Sequence, residues 1–302
     1  MSLNIRPLHP LFAAAVTGVD LKRPVDEATL AGLQAAFDRY AVVVFPGQYI
    51  DNESQMAFSR LFGPLELMPR VPGKTPRLPY RELFDVSNLD EHGRITPETD
   101  ERRIYNLGNR LWHTDGSFRK IGAKYSLLSA HVVPPAGSDT EFADMRAAWD
   151  ALPAATKKIL DGRTAEHSIW TSRAKLGGYQ PTEQELQARP PARHPLVRVH
   201  PGSKRKTLYI ADHVSRIIGM PMDESQALLR ELIEFATRPE FVYAHRWTPG
   251  DIVLWDNRCT MHRATGFDDT VHPRDMRRTT ALDVEEPGEW VTEPVVAEAA
   301  IS

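Results

Sequence analysis

The chain has 302 residues, 41% of them hydrophobic, with 37 Lys and Arg against 40 Asp and Glu and a formal net charge of −3. That balance leaves no basic footprint for nucleic acid, and one cysteine, Cys259, excludes a disulfide framework or a multi-cysteine metal site. No apolar run approaches the roughly 18 residues of a membrane span, and the start MSLNIRPLHP lacks a signal-peptide core, so a soluble cytoplasmic protein is expected.

In chain order, a first helix is expected from Asp26 to Tyr40, where Leu30, Leu33 and Phe37 recur at helical spacing. Ala41–Phe45 follows as a strand. Asp51 caps a second helix that runs to Phe62 and stops at Gly63-Pro64. Residues 64–103, rich in proline and charge, read as a mobile insertion holding one short strand at Leu83–Ser87. Tyr125–Val133 is a strand ended by Pro134-Pro135-Ala136-Gly137. A helical stretch over Arg146–Leu160 is interrupted by Pro153.

Residues 173–193 form a second polar, mobile segment. Leu196–His200 and Thr207–Ala211 pair as strands through a hairpin at Pro201-Gly202-Ser203. Asp223 caps a third helix with an apolar stripe of Leu228, Leu229, Leu232, Ile233 and Ala236. Phe241–Trp247, Asp251–Trp255 and Arg274–Leu282 complete the strands, with a tight turn at Thr248-Pro249-Gly250-Asp251. Residues 285–302 read as a fraying tail. Many short strands with few helices predict a mainly β fold with peripheral helices, a β-sandwich or jelly roll, as one domain over 1–302.

The chemistry concentrates at Trp112-His113-Thr114-Asp115, where extended backbone turns His113 and Asp115 to one side. His262, between the last two strands, supplies a third donor. Two histidines and a carboxylate on a β scaffold suit the facial triad of non-haem Fe(II) oxygenases. Catalytic zinc with three protein ligands fits the same set, so the triad alone leaves the metal open. Arg274 and Arg278, four apart in a strand, share a face. Two inward arginines need anionic partners, which a carboxylate cosubstrate and an anionic substrate would provide. A plainer alternative pairs one of them with Asp275 or Asp283. The remaining histidines, His9, His92, His131, His167, His194, His213, His245 and His272, are expected at the surface or satisfied in the core.

Longer ordered marks run from Leu8 to Asp283. They are Leu8-His9-Pro10-Leu11-Phe12, Phe62-Gly63-Pro64-Leu65-Glu66, Val86-Ser87-Asn88 and Gly108-Asn109-x-Leu111-Trp112-His113-x-Asp115. Further on come Asp139-Thr140-Glu141-Phe142-x-Asp144-Met145-Arg146-Ala147-Ala148 and Gly250-Asp251-x-Val253-x-Trp255-Asp256-Asn257-Arg258-Cys259-x-x-His262-Arg263. On these the chain resembles the taurine dioxygenase-like Fe(II)/2-oxoglutarate oxygenases, and within them the branch acting on aryloxyalkanoates.

The resemblance implies a double-stranded β-helix (jelly roll), with Fe(II) held by His113, Asp115 and His262 and with 2-oxoglutarate and O2 as cosubstrates. It makes Thr140 and Arg274 the anchors of the distal 2-oxoglutarate carboxylate. Arg278 becomes the clamp for the acid group of a small anionic, aromatic substrate, with Arg277 the competing choice of opposite strand parity. His200 is implied as a further substrate contact, with a core or turn histidine as the plainer alternative. Asn109, just before the triad, is read from its position as orienting substrate or supporting the metal ligands, with a structural role as the alternative. Arg70 and Arg94 stand where the herbicide-cleaving branch carries two lysines, and arginine does not replace lysine neutrally at an anion site. Asp115 favours hydroxylation, because halogenating relatives lack that carboxylate. The implied reaction cleaves an aryloxyalkanoate ether to a phenol and glyoxylate or pyruvate, with succinate and CO2. A sulfonate or alkyl sulfate is the alternative substrate, and a zinc hydrolase or a non-catalytic metal-binding barrel the alternative class. A homo-oligomer is expected.

Overall fold

Val42–Phe45 (β3) and Ile252–Asp256 (β13) are buried at every position. A strand reads that way only in the middle of a sheet covered on both faces. In the computed structural model, which describes residues 3–68, 76–177 and 180–284, both lie inside a seven-stranded sheet. Its order is β1 (Asn4–Pro7), β2 (Ala14–Thr17), β3, β13, β5 (Ala123–Val132), β15 (Asp275–Leu282) and β4 (Phe84–Asp85). All neighbours are antiparallel except β2 and β3.

One face of this sheet is covered by α1 (Glu27–Tyr40) and α2 (Asn52–Arg60). Their Leu33, Phe37, Met56 and Phe58 pack with Val43, Phe45, Tyr125 and Leu254. Phe37 meets Phe62 edge-on at 5.3 Å, a geometry that favours ring pairs beyond their buried area. Asp26 and Asp51 cap the two helices, each accepting a backbone N–H at 2.7 Å. α1 ends at Ala41, held at φ 59°.

The other face meets a smaller antiparallel sheet, β12 (Val242–His245), β6 (Thr140–Asp144) and β14 (Thr260–Ala264). Leu128, Phe142, Val253, Trp255 and Met276 fill the gap between them. Two facing, mainly antiparallel sheets with helices outside make the fold a jelly roll, as the strand pattern and the resemblance predict. A third core forms around α4 (Met145–Ala151) and α8 (Met222–Ala236), against β9 (Val197–Val199), β10 (Lys206–Leu208) and β11 (Val214–Ile217). No helix among the described residues is long and apolar enough to cross a membrane.

Several local expectations shift. Pro153 splits the helical stretch into α4 and α5 (Ala154–Leu160), because Leu152 and Pro153 take extended backbone. Pro221, not Asp223, precedes α8; Asp223 lies in its first turn, where its charge still suits the helix dipole. The segment 64–103 carries β4 along the edge of β15 and the start of α3 (Glu101–Asn106). The segment 173–193 holds the end of α6 (Ile169–Gly177) and α7 (Glu183–Ala188), which has a Thr182/Glu185 capping box. The expected tail at 285–302 and Arg70 lie outside the described residues.

Candidate metal centre and active site

A short 3-10 turn at Leu107–Arg110 ends where the Leu111 N–H donates to the Gly108 carbonyl, and the chain leaves it extended. His113 then pairs with His262 of β14 through backbone hydrogen bonds in both directions, 3.0 and 2.7 Å. The rings stand 4.1 Å apart between centroids. Asp115 follows two residues on, and Gly116 at φ 65° turns the chain toward β5; a Cβ there would sit 3.2 Å from the Ala123 nitrogen.

The carboxylate faces both rings. His113 Nε2 lies 3.9 Å from Asp115 Oδ1, and His262 Nε2 lies 3.8 Å from Oδ2. One donor atom from each of the three residues falls within 4.8 Å of the others, and all three side chains are buried. His113 Nδ1 is 2.7 Å from the Leu111 carbonyl. A carbonyl only accepts, so Nδ1 carries the proton and Nε2 the free lone pair. Burial drives the pKa of His113 down and that of His262 well below the usual imidazole range, so both are neutral at pH 7. Burial alone would raise the pKa of Asp115; the neighbouring Arg278 guanidinium and a Ser126 hydrogen bond outweigh it and keep the group ionised. Two neutral imidazoles and one carboxylate make a donor set that fits Fe(II).

A second group, His200, Asp256 and Cys259, also converges within 4.8 Å. Its donors are already spent. His200 Nε2 is 2.9 Å from Asp256 Oδ2, its Nδ1 is 2.9 Å from Ser203 Oγ, and Arg258 forks onto both Asp256 oxygens. Burial pushes the Cys259 thiol pKa well up, away from the thiolate a metal needs. This group is an ion-paired framework.

His113 and His262 of the triad face a cleft lined by Val86, Leu107, Asn109, Leu128, Thr140, Phe267, Arg274 and Arg278 among others. Thr140 opens β6, and its hydroxyl accepts the indole N–H of Trp247 at 2.9 Å, which leaves its own proton to donate. Arg274 precedes β15. Asn88 Oδ1 accepts its backbone N–H at 2.8 Å, and its Nη1 donates to the Val86 carbonyl at 3.1 Å. Its guanidinium has no acid partner among the described residues, and burial pulls its pKa down to about 10. Arg278 lies over the Phe84 ring and donates from Nη1 to Asp115 Oδ1 at 2.6 Å, while its buried Nε has no hydrogen-bond partner. Arg277 turns the other way, onto Asp275 and Asn52.

The structure therefore brings His113, Asp115, His262, Thr140, Arg274, Arg278 and Asn109 to one cleft. Two expected substrate contacts stand elsewhere. His200 closes the β9–β10 hairpin and is buried on Asp256, so a polar residue at a strand end serves the framework here. Arg94 is 72% exposed and pairs with Asp90 in a turn. Motif and spacing assign no role to Arg103, Arg110, Ser126 and Asn257, although Asn257 stands inside the mark that runs from Gly250 to Arg263. Arg103 and Arg110 line the cleft and meet Asp269 at 2.7 and 3.6 Å. Ser126 and Asn257 sit beneath Asp115.

Over residues 4–280 the chain matches the family described as taurine catabolism dioxygenase TauD, TfdA family. It is 45% identical over 284 residues to the alpha-ketoglutarate-dependent 2,4-dichlorophenoxyacetate dioxygenase of Cupriavidus pinatubonensis, covering 94% of this chain and 99% of that one. To the (S)-phenoxypropionate/alpha-ketoglutarate-dioxygenase of Sphingobium herbicidovorans it is 40% identical over 277 residues, covering 89% and 91%. Among solved structures it superposes on AAD-2 in complex with Mn(II) and N-oxalylglycine with a TM-score of 0.87 at 45% identity, covering 95% of this chain and 98% of that one. Because the match runs from the first strand into the last, the chain belongs to the TauD/TfdA family of dioxygenases.

Proposed function

We propose that the protein is an Fe(II)- and 2-oxoglutarate-dependent dioxygenase that cleaves aryloxyalkanoates at the ether. The observation that carries this reading is the triad opening into a cleft where a buried arginine, Arg274, lacks an acid partner among the described residues. A hydrolytic metal site has no use for such a charge, whereas a dicarboxylate cosubstrate would neutralise it.

His113, Asp115 and His262 would hold the iron. When bound, Fe(II) supplies O2 activation coupled to the oxidative decarboxylation of 2-oxoglutarate to succinate and CO2, placing one oxygen atom on the substrate. Arg274 and the free proton of Thr140 are the donors for the distal 2-oxoglutarate carboxylate. Arg278 keeps donors beyond the one on Asp115, and these suit a substrate carboxylate. Val86, Leu107 and Phe267 give an aryl ring apolar walls. Among the described lining residues four arginines face one aspartate, Asp269, so the cleft favours anions. Holding the acid group fixes which substrate carbon faces the triad. A hydroxyl on the carbon that bears the aryloxy group makes a hemiacetal, which collapses to a phenol and glyoxylate, or pyruvate from a 2-aryloxypropionate. The same reading places the protein in the cytoplasm, in keeping with its single, buried thiol.

The test is a substrate panel of phenoxyacetate, both 2-phenoxypropionate enantiomers and taurine, with Fe(II) and 2-oxoglutarate, reading succinate and phenol together. Phenol in step with succinate is expected, and loss of both in His113→Ala and Asp115→Ala. Faster turnover of taurine than of any aryloxyalkanoate would overturn the substrate assignment. Metal binding unchanged in both variants would overturn the site.

A further inference from the structure

We propose that Ser126 is a positioning residue that ties down Asp115 Oδ2, so that the carboxylate offers the metal one oxygen and not two. The inference rests on the metal reading of the triad and concerns how its coordination number is set.

Hydrogen-bond direction at this spot follows from which groups can only donate. The Trp255 indole N–H lies 3.0 Å from one side-chain atom of Asn257, and the Asp115 backbone N–H lies 3.1 Å from the same atom. Neither can accept, so that atom is the amide oxygen, and the amide nitrogen is turned to Ser126 Oγ at 3.0 Å. Ser126 must accept there. Its own proton then has two neighbours, Asp115 Oδ2 at 2.6 Å and Thr280 Oγ1 at 3.3 Å. The carboxylate is nearer and charged, and 2.6 Å is the separation of a hydroxyl bonded to an ionised oxygen. Every member of this chain is buried, with Ser126 fully so within β5. The donor order is therefore wired from the Trp255 indole outward.

The consequence lies in the number of open positions. On Fe(II), three single-atom ligands would leave open positions for a cosubstrate and O2. A carboxylate whose second oxygen is free could close over the metal and take one of them. Ser126 works against that closure by holding Oδ2, while Oδ1 accepts from Arg278 at 2.6 Å and keeps a further lone pair for the metal.

The experiment uses the full chain loaded with Co(II) or Mn(II) under anaerobic conditions, in wild type, Ser126→Ala, Ser126→Thr, Asn257→Asp and His113→Ala. Ser126→Ala should change the Co(II) visible spectrum, because Asp115 is then free to offer both oxygens. It should also bind 2-oxoglutarate less tightly at saturating metal and release succinate without matching phenol. Ser126→Thr, which keeps the hydroxyl, should restore the spectrum. Asn257→Asp deletes no heavy atom but draws the Ser126 proton to itself, so it should reproduce the Ser126→Ala spectrum even if the alanine variant fails to fold. A Co(II) spectrum unchanged from wild type in the folded Ser126→Ala protein overturns the proposal. Equal metal binding by wild type and His113→Ala overturns the metal reading beneath it, an outcome told apart by the ligand-deletion control.

Discussion

Arg274→Met should make the protein more stable and less able to bind its cosubstrate. In the free protein Arg274 is 7% exposed, and its guanidinium has no acid partner among the described residues. Burial alone takes its pKa from the usual 12.5 to about 10. That corresponds to on the order of 3 kcal/mol of lost preference for the charged form. Methionine fills similar space without the charge, and its backbone N–H still reaches Asn88. The free variant should gain about 1–3 kcal/mol, or a melting temperature higher by a few degrees. Ligand should close most of that gap. At a concentration of about 100 times Kd, 2-oxoglutarate stabilises the wild type by about 2.7 kcal/mol. Losing a charge-assisted pair worth about 2–3 kcal/mol weakens binding roughly 30- to 150-fold. At the same concentration the variant then gains less than about 0.9 kcal/mol. Anaerobic thermal melts with Mn(II), with and without 2-oxoglutarate, read both effects, and calorimetric titration gives Kd directly. A variant that is less stable when free yet keeps the full ligand shift would show that Arg274 is a packing stem and not an anion anchor.

Arg278→Ala should lower kcat/KM for the aryloxyalkanoate about tenfold to a few hundredfold while leaving the 2-oxoglutarate KM nearly unchanged at saturating iron; Arg277→Ala should do little, since Arg277 faces Asp275 and Asn52. Steady-state kinetics on both substrates decide this, and a crippled Arg277→Ala beside a normal Arg278→Ala would move the clamp by one residue. Asp275 supplies the pH dependence. Burial works against its ionised form, but Arg77 and Arg277 hold its pKa down to about 2. A lowered carboxyl stabilises the fold above its unfolded pKa and ceases to as pH falls through the folded value, so this contribution should fade between about pH 4 and pH 2. Urea midpoints across that window should fall less steeply in Asp275→Asn, and identical slopes would show that the ion pairs carry no net stability.

Much of this was legible in the chain because local chemistry is written locally. Asp26 and Asp51 cap the helices they precede, and the runs Ala41–Phe45 and Asp251–Trp255 read as buried strands. The triad and the paired arginines were visible because their residue types have few other uses in a strand. His200 misled for the opposite reason: a histidine at a strand end looks the same whether it faces a ligand or an aspartate that only folding brings near. Arg103, Arg110 and Asp269 were hidden because they meet through two loops that no periodicity connects. Ser126 was hidden because its importance is directional, set by an indole on another strand.

The reciprocal backbone pairing of His113 with His262 joins points nearly half the chain apart. Contacts of such sequence separation are slow to form, because the intervening chain must be ordered first. On the proposed metal reading, metal capture becomes a report on completed folding. A chain still assembling β5 to β13 has no pair of imidazoles to offer, and a strand slipped by one residue would turn His262 away from its partner. Iron arriving during synthesis would meet loose, exchangeable ligands until the closing strand docks, and would then tie His113 to His262 across that stretch of chain.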